Sequence, residues 1–485
     1  MKKHFLVNRA GAAALLLALG LAPGCKNYLD VAPQGQPTQA QFFQTATDAA
    51  AAINAPYGKL REWNLVAFNW LAVTTLTSDD AEKGSVSGDA EFLNDFTFFR
   101  LTSTSSVAEG YWDGQYQQIN LCNQVTANVP GINMDASLKN RYVAEAKFLR
   151  ALAYFNLVRA FGDVPLHLAP VTGDSPTDQQ NPTRTPAADI YTAIVQDLTD
   201  ASSVLPASYA ATDLGRATKG AAFALLAKVQ LYRKNYQAAQ AAAAQVTGYS
   251  LVSDYYSMFR IAGENGPESI FEVQCTTLPG NCDASNSQWS ECQSVRPQFG
   301  WGFFNPTANL ESAFEAGDKR KAGTILYRGQ TTPSGDAIDP NASNPRYNMK
   351  AYVPNAVTKV CGYGRDQNIR VLRYAEVLLI NAEATNELGQ TATALGYVNQ
   401  VRQRAGLAPL STTLSQAAAR QAIWQERRVE LALEYGDRFF DLVRTGRAAS
   451  VLASKGFVAG KNELMPIPLP QITLSGGKLT QNPGY

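Results

Sequence analysis

RYVAEAKFLRALAYFNLVRAFGDVPL, residues 141–166, repeats its apolar side chains at steps of three and four. Val143, Ala146, Leu149, Leu152, Ala153 and Leu157 fall near one stripe. That is the period of an α-helix with one face turned to a core, and Gly162 and Pro165 mark its end. Working outward, the same period recurs. GRATKGAAFALLAKVQLYRKNYQAAQAAAAQV, residues 215–246, predicts two antiparallel helices. Ala221, Ala224 and Ala227 admit close backbone approach, and Tyr232 and Tyr236 fill the gap between the two. Residues 369–407, IRVLRYAEVLLINAEATNELGQTATALGYVNQVRQRAGL, repeat the arrangement about a turn at Gly389. Residues 418–446, AARQAIWQERRVELALEYGDRFFDLVRTG, predict a long helix ended by Gly436 and a short one after it.

Small residues and aromatics at these offsets resemble a tetratricopeptide helix pair. One pair leaves an apolar face open, so several must stack. Between them, residues 60–110 and 250–368 are rich in Gly, Ser, Asn, Pro and aromatics and show little period. These stretches predict irregular loops and short strands standing on a helical scaffold, where binding residues concentrate. With 485 residues, 45% of them hydrophobic, the chain can bury a large core in two or more packed lobes.

The chain opens with Lys2, Lys3 and Arg9, then the uncharged block Ala10–Ala22. A basic start and a short apolar run predict a secretory signal over residues 1–24. The run is shorter than the roughly 20 residues that span a membrane. Leu21-Ala22-Pro23-Gly24-Cys25 resembles a bacterial lipobox, whose cysteine becomes the lipid-bearing first residue, with Ala22 where a large aliphatic side chain is preferred. Ala22-Pro23-Gly24 also suits an ordinary signal peptidase, which would leave a soluble secreted protein. Pro33, Gly35 and Pro37 break regular structure, so residues 25–37 read as a lipidated start and tether.

Net charge is +1, and residues 1–24 carry three Lys/Arg and no acid, which leaves 39 basic against 41 acidic side chains beyond them. Such a balance attracts neither nucleic acid nor anionic lipid. Only two histidines occur, His4 and His167, so a histidine metal site or a Ser-His triad would rest on His167 almost alone. No cofactor motif is present: HExxH, GxSxG and GxxxxGK[ST] are all missing. A carboxylate pair stays open, because it needs no histidine. Besides Cys25 there are Cys122, Cys275, Cys282, Cys292 and Cys361. Cys122 lies within the apolar pattern QINLCNQV and reads as buried. The other four allow three pairings, and with no CxxC spacing no thiolate metal site is expected.

Six blocks, in order along the chain, resemble the SusD/RagB nutrient-binding lipoproteins of the Bacteroidetes. They are CKNYLDVAPQG, EAKFLRALAYFNLVRAFGDVPL, RYAEVLLINAEATNELG, VNQVRQRAGL, ERRVELALEYGDRFFDLVRTG and MPIPLPQITLSGGKLTQNPGY. The resemblance implies a mostly α, SusD-like fold. It has four tetratricopeptide-like helix pairs in one lobe and a loop-rich, irregular ligand-facing lobe. The body would run over residues 38–485: an N-terminal part to 250, an insert over 251–368 and C-terminal helices from 369. It implies a lipoprotein on the outer membrane, facing the exterior, that passes glycans or other nutrients to a SusC-like TonB-dependent transporter. No catalysis, cofactor or metal is implied. Glu426, Arg427, Arg428 and Glu430 read as a paired, solvated helix network.

A sugar site needs flat aromatics for ring faces and planar polar groups for hydroxyls. REWNLVAFNWLAVTTLTSDDAEKG, residues 61–84, offers Arg61, Trp63, Asn64, Asn69, Trp70, Asp79 and Asp80. SQWSECQSVRPQFGWGFFNP, residues 287–306, offers Trp289, Arg296, Gln298, Trp301, Phe303 and Asn305. Trp70, in an apolar stretch, reads as core. Trp301 stands between Gly300 and Gly302, a setting that predicts an exposed ring with room for a ligand at the backbone. Two other functions stay open: a helical scaffold that selects no ligand, and a carbohydrate-active enzyme using two carboxylates.

Overall fold

The helix carrying the opening stretch starts at Asp135, whose carboxylate accepts from the Leu138 N–H at 2.8 Å. It ends at Phe161, where Gly162 turns left-handed at φ 72°. A short acidic cap and a glycine exit are what a helix needs at its two ends. The computed structural model describes residues 42–171, 183–280, 282, 286–357, 361–362 and 364–485. The signal segment 1–24, Cys25 and the tether to residue 37 lie outside the described residues.

Helices dominate. They are α1 (Ala46–Lys59), α2 (Ser106–Asn128), α3 (Ala136–Phe161), α4 (Ala187–Val204), α5 (Lys219–Tyr232) and α6 (Tyr236–Ala243), followed by α7 (Tyr374–Glu387), α8 (Thr391–Arg404), α9 (Gln416–Leu431) and α10 (Arg438–Arg444). Each of α2 to α7 packs on the helix that follows it, and α9 packs on α7. The hairpins α5/α6 and α7/α8 are stacked pairs that the helical period predicts, and α2, which the sequence reading did not assign, pairs with α3. Among the described residues, three two-stranded antiparallel ribbons join the loops. β1 (Ala81–Gly84) pairs with β3 (Phe303–Pro306), with Gly84 opposite Phe303. β2 (Ser269–Val273) pairs with β6 (Ile369–Arg373), and β4 (Ile325–Tyr327) with β5 (Arg346–Asn348).

Four features differ from the sequence reading. The stretch 369–373 is the strand β6, so the helical hairpin begins only at Tyr374. α9 ends at Leu431, five residues before Gly436, because the chain turns there to place Leu433 left-handed at φ 61°. The 60–110 stretch holds helical pieces, among them the π-helical turn Ala72–Leu76. Finally, α3 is buried on nearly every side from Tyr142 onward, not on one stripe.

Burial on every side forces polar residues inside, and each is matched. Arg150 of α3 holds both oxygens of Asp197 on α4 at 2.8 Å. Glu145 takes Arg216 at 2.8 Å, and Arg159 reaches Asp437 at 3.2 Å. The ERRVEL run of α9 follows the same rule. Glu426, Arg427 and Glu430 are buried, so the network is paired, as expected, but not solvated. Their partners Arg320, Glu376 and Arg404 come from far along the chain.

Of the possible disulfides, Cys282–Cys361 forms, and Cys122, Cys275 and Cys292 stay free. Burial pushes the Cys275 thiol up to about 12 and raises Cys122 and Cys292 further. A thiol held protonated attacks slowly. In the native chain near pH 8, the cysteines after Cys25 should therefore resist iodoacetamide. Denatured without reductant, three of them should alkylate, and mass spectrometry of the peptides checks which; label on Cys282 or Cys361 would refute the pairing.

Candidate functional site

Gly110 and Gly114 stand one turn apart on α2, where the 61–69 segment crosses it. A Cβ at Gly110 would lie 2.4 Å from Asn69 Nδ2 and 2.9 Å from Asn64 Oδ1, and one at Gly114 would lie 2.7 Å from Asn64 Cβ. Bare backbone at these two positions lets the segment lie flat on the helix. Asn69 then donates to Asn64 Oδ1 at 2.8 Å, and Trp63 Nε1 donates to Asn69 Oδ1 at 3.0 Å. The indole is fixed at its edge before any ligand arrives, which lowers the ordering cost of binding.

Trp63 stacks one face on Phe68, with centroids 4.9 Å apart and planes 15° apart, and is 37% exposed. Trp301, partly buried, lies 5.9 Å from Trp63 at 50°. Phe92, 52% exposed, reaches Phe68 at 6.2 Å. Phe68 itself is buried and rests edge-on against Phe303 and Phe304 of β3. Trp63, Phe92 and Trp301 thus form one surface around Phe68, backed by the β1/β3 ribbon.

Polar groups border this face. Arg296 pairs with Asp89 and donates to Ser85 Oγ at 2.7 Å, and the side chains of the ion pair are 34% and 35% exposed. A pair this open adds little stability, but it offers donors and acceptors to a ligand. Asn64 Nδ2 has no acceptor among the described residues. The turn after β1 holds two left-handed non-glycine residues, Ser85 at φ 56° and Ala90 at φ 46°. Lys83 Nζ clamps it by donating to Val86 O at 3.1 Å and Asp89 O at 2.7 Å. Strain of this kind costs ~1–3 kcal/mol per residue and persists where the surroundings enforce it, commonly at ligand sites.

The structure brings together Trp63, Asn64, Arg296 and Trp301 from the sequence expectation, and moves the rest away. Asp79 and Asp80 are buried. Arg438 binds both oxygens of Asp79 at 2.8 and 3.0 Å, and Arg428 Nε holds Asp80 at 2.8 Å. For Asp79, burial is outweighed by Arg438 and Arg428 and the carboxyl is lowered. For Asp80, burial, with Asp79 beside it, raises the carboxyl. Trp289 is buried on a short helix, and Asn305 lies buried under Gly84, whose Cβ would stand 2.5 Å from its amide. Gln298 spends its amide on the backbone, donating to Ala337 O and accepting from Asp339 N. Arg61 turns to Gln274 O at 3.2 Å, and Trp70 is core as expected.

The glycines about Trp301 serve the protein. A Cβ at Gly300 would stand 2.2 Å from Glu291 O, and one at Gly302, at φ 74°, would stand 2.9 Å from Arg296 Cβ. Sequence reasoning missed Phe92 and Asp89. A signal for Phe92 existed: in the tight turn Glu91–Leu93, the adjacent Phe92 and Leu93 cannot both face the core.

Residues 267–457 match the profile described as the SusD family, and residues 27–231 match one described as starch-binding associating with outer membrane. SusD-like protein P2 of Formosa agariphila is 29% identical over 95% of this chain and 97% of its own. A SusD-like protein of Bacteroides ovatus is 27% identical over 88% of this chain and 80% of its own. A solved laminarin-binding SusD-like protein is 31% identical, covers 91% of this chain and all of its own, and superposes with a TM-score of 0.80. The surface glycan-binding protein A of Bacteroides fluxus gives 25% identity, 91% and 100% coverage and a TM-score of 0.77. The chain belongs to the SusD family. Among the described residues, no helix is long and apolar enough to cross a membrane.

Proposed function

We propose that this chain is a surface glycan-binding lipoprotein that captures oligosaccharides and delivers them to a SusC-like TonB-dependent transporter. The observation that carries the reading is the exposed face of Trp63, Phe92 and Trp301, bordered by Arg296, Asp89 and Asn64. A pyranose presents C–H groups to an aromatic face and hydroxyls to the planar groups at its rim. The name of the laminarin-binding relative makes laminarin the first ligand to try. Binding proceeds without hydrolysis in this reading. The carboxylates of the α9 region, Asp79, Asp80, Glu426 and Glu430, are engaged by arginines, and beside the aromatic face Asp89 pairs with Arg296 and Glu91 with Lys83. Acyl chains on Cys25 would hold the protein at the outer membrane, facing outward, and residues 26–37 would give it reach.

The expected result on native gels cast with laminarin is retarded migration with no oligosaccharide released. Unchanged mobility across laminarin and a panel of plant, host and microbial glycans would favour the scaffold role, and released product an enzyme. The same cells, grown with a labelled fatty acid, should yield labelled wild-type protein and unlabelled Cys25→Ala, and mild-detergent purification of tagged protein should recover the transporter.

A further inference from the structure

Arg427, Arg428, Arg438, Arg444 and Arg447 line one narrow pocket where α9 meets the segment leading to α10, with Trp424 at its side. Four of these cations are matched by carboxylates. Arg428 takes Asp79 and Asp80, Arg438 takes Asp79, Arg427 takes Glu376 and Asp441, and Arg444 takes Glu383 and Asp441. Arg447 has none. Its Nε donates to Thr445 Oγ1 at 2.9 Å, and its guanidinium lies 4.2 Å over the Trp424 ring. The charges acting on it are Arg438, Asp441, Arg444 and Glu383, and burial, with Arg438 next, lowers its value to about 10.

Two more donors at this pocket lack acceptors. Arg427, its side chain 2% exposed, spends Nε on Asp441 and Nη2 on Glu376, which leaves Nη1 buried and unbonded. The Trp424 indole N–H is buried and unbonded as well. Buried donors left empty are costly and uncommon. The wall opposite α9 is itself unusual backbone: the π-helical turn Ala72–Leu76 supplies Thr74 and Thr75, and Leu433 is left-handed at φ 61°. Single π turns recur at functional sites. Asp80, Asp437 and Asp441 line the pocket as well; Arg428 holds Asp80 through Oδ1, and Asp80 Oδ2 is buried and unbonded. The cavity is about 20 Å³, room for one small ion or the head of a carboxylate but not for a sugar ring.

We propose that this pocket binds a small anion, a halide or a carboxylate, between the Arg447 guanidinium, Arg427 Nη1 and the Trp424 N–H. The site shares no residue with the aromatic face and does not depend on the glycan reading. The anion supplies the acceptor that the two buried donors, Arg427 Nη1 and the Trp424 N–H, lack and offsets the charge of Arg447.

The test uses the purified full chain. Crystals grown without halide and soaked in sodium bromide should show an anomalous peak within hydrogen-bond reach of Arg447 and Arg427. A second soak with sodium acetate decides whether a carboxylate displaces the bromide. In solution, about 100 mM bromide should raise the thermal midpoint above that in the same ionic strength of a bulky organic sulfonate, by mass action on the folded state. Arg447→Met should erase that difference; it should fold, because Arg447 carries no ion pair. A peak with bromide alone supports a halide site, and displacement by acetate extends it to carboxylates. An empty pocket in both soaks, or a bromide effect that survives R447M, overturns the proposal.

Discussion

Glu430→Gln is expected to destabilise the chain by ~3–5 kcal/mol, read as a fall in the urea midpoint. Glu430 is fully buried and serves three arginines that are themselves almost wholly buried. Its Oε1 accepts from Arg373 at 3.0 Å and from Arg404, and its Oε2 accepts from Arg320 at 3.1 Å. Glutamine keeps the shape but removes the charge, which leaves a surplus of buried guanidinium charge and turns one acceptor into a donor. That asymmetry, more than the worth of any one bond, sets the size of the loss. Glu387→Gln is the contrast. Its partner Arg420 is 28% exposed at the side chain, so the loss should stay below ~1 kcal/mol.

The same residue fixes an acid dependence. Burial alone would raise the Glu430 carboxyl, but Arg404, Arg373 and Arg320 outweigh it and hold it well below the usual carboxylate range. A folded-state value below the unfolded one contributes stability above the unfolded value, about 4.3, and loses it as pH falls through the folded value. Glu430→Gln should therefore cost most near neutral pH and flatten the fall in stability below about pH 4. An equal cost at every pH would mean that the acceptor turned into a donor, not the lost charge, carries the effect.

The helices were legible because their period is local. Gly162 ends α3 within the quoted stretch, and Gly389 turns the α7/α8 hairpin as read, whereas the start of α3 at Asp135 lies before that stretch. What the ERRVEL run does was not legible, because a solvated network and a buried one have the same i,i+3 and i,i+4 spacing. Only the partners separate them, and Arg320, Arg373 and Arg404 stand far from Glu430 in sequence or on another helix. The candidate site was half legible for a similar reason. Trp63 and Trp301 were found by residue type, yet the glycines beside Trp301 admit Glu291 and Arg296, not a ligand. Asp79 and Asp80 looked free because Arg428 and Arg438 lie some 350 positions downstream in sequence and meet them only in the fold.

Trp63→Ala is expected to cut glycan affinity at least tenfold, about 1.4 kcal/mol, with little change in the thermal midpoint. The ring is open on one face and stacks on Phe68 by the other, so its loss removes ligand surface and uncovers Phe68 without hollowing the core. Trp70→Ala, at a fully buried ring, should instead cost ~3–5 kcal/mol of stability. Trp301→Ala should fall between them, because the ring is partly buried against Trp63 and shares its surface: affinity drops, and the midpoint drops modestly. Trp63→Phe separates stacking from tethering. Phenylalanine keeps a flat face but loses the N–H that donates to Asn69, so affinity should recover in part. The ligand for these measurements is the one that retards the wild-type chain on gels. If Trp63→Ala and Trp301→Ala both keep full affinity for it while folding normally, the aromatic face is not the site. The search then moves to the groove of about 650 Å³ that Tyr209 and Tyr249 line beside β2.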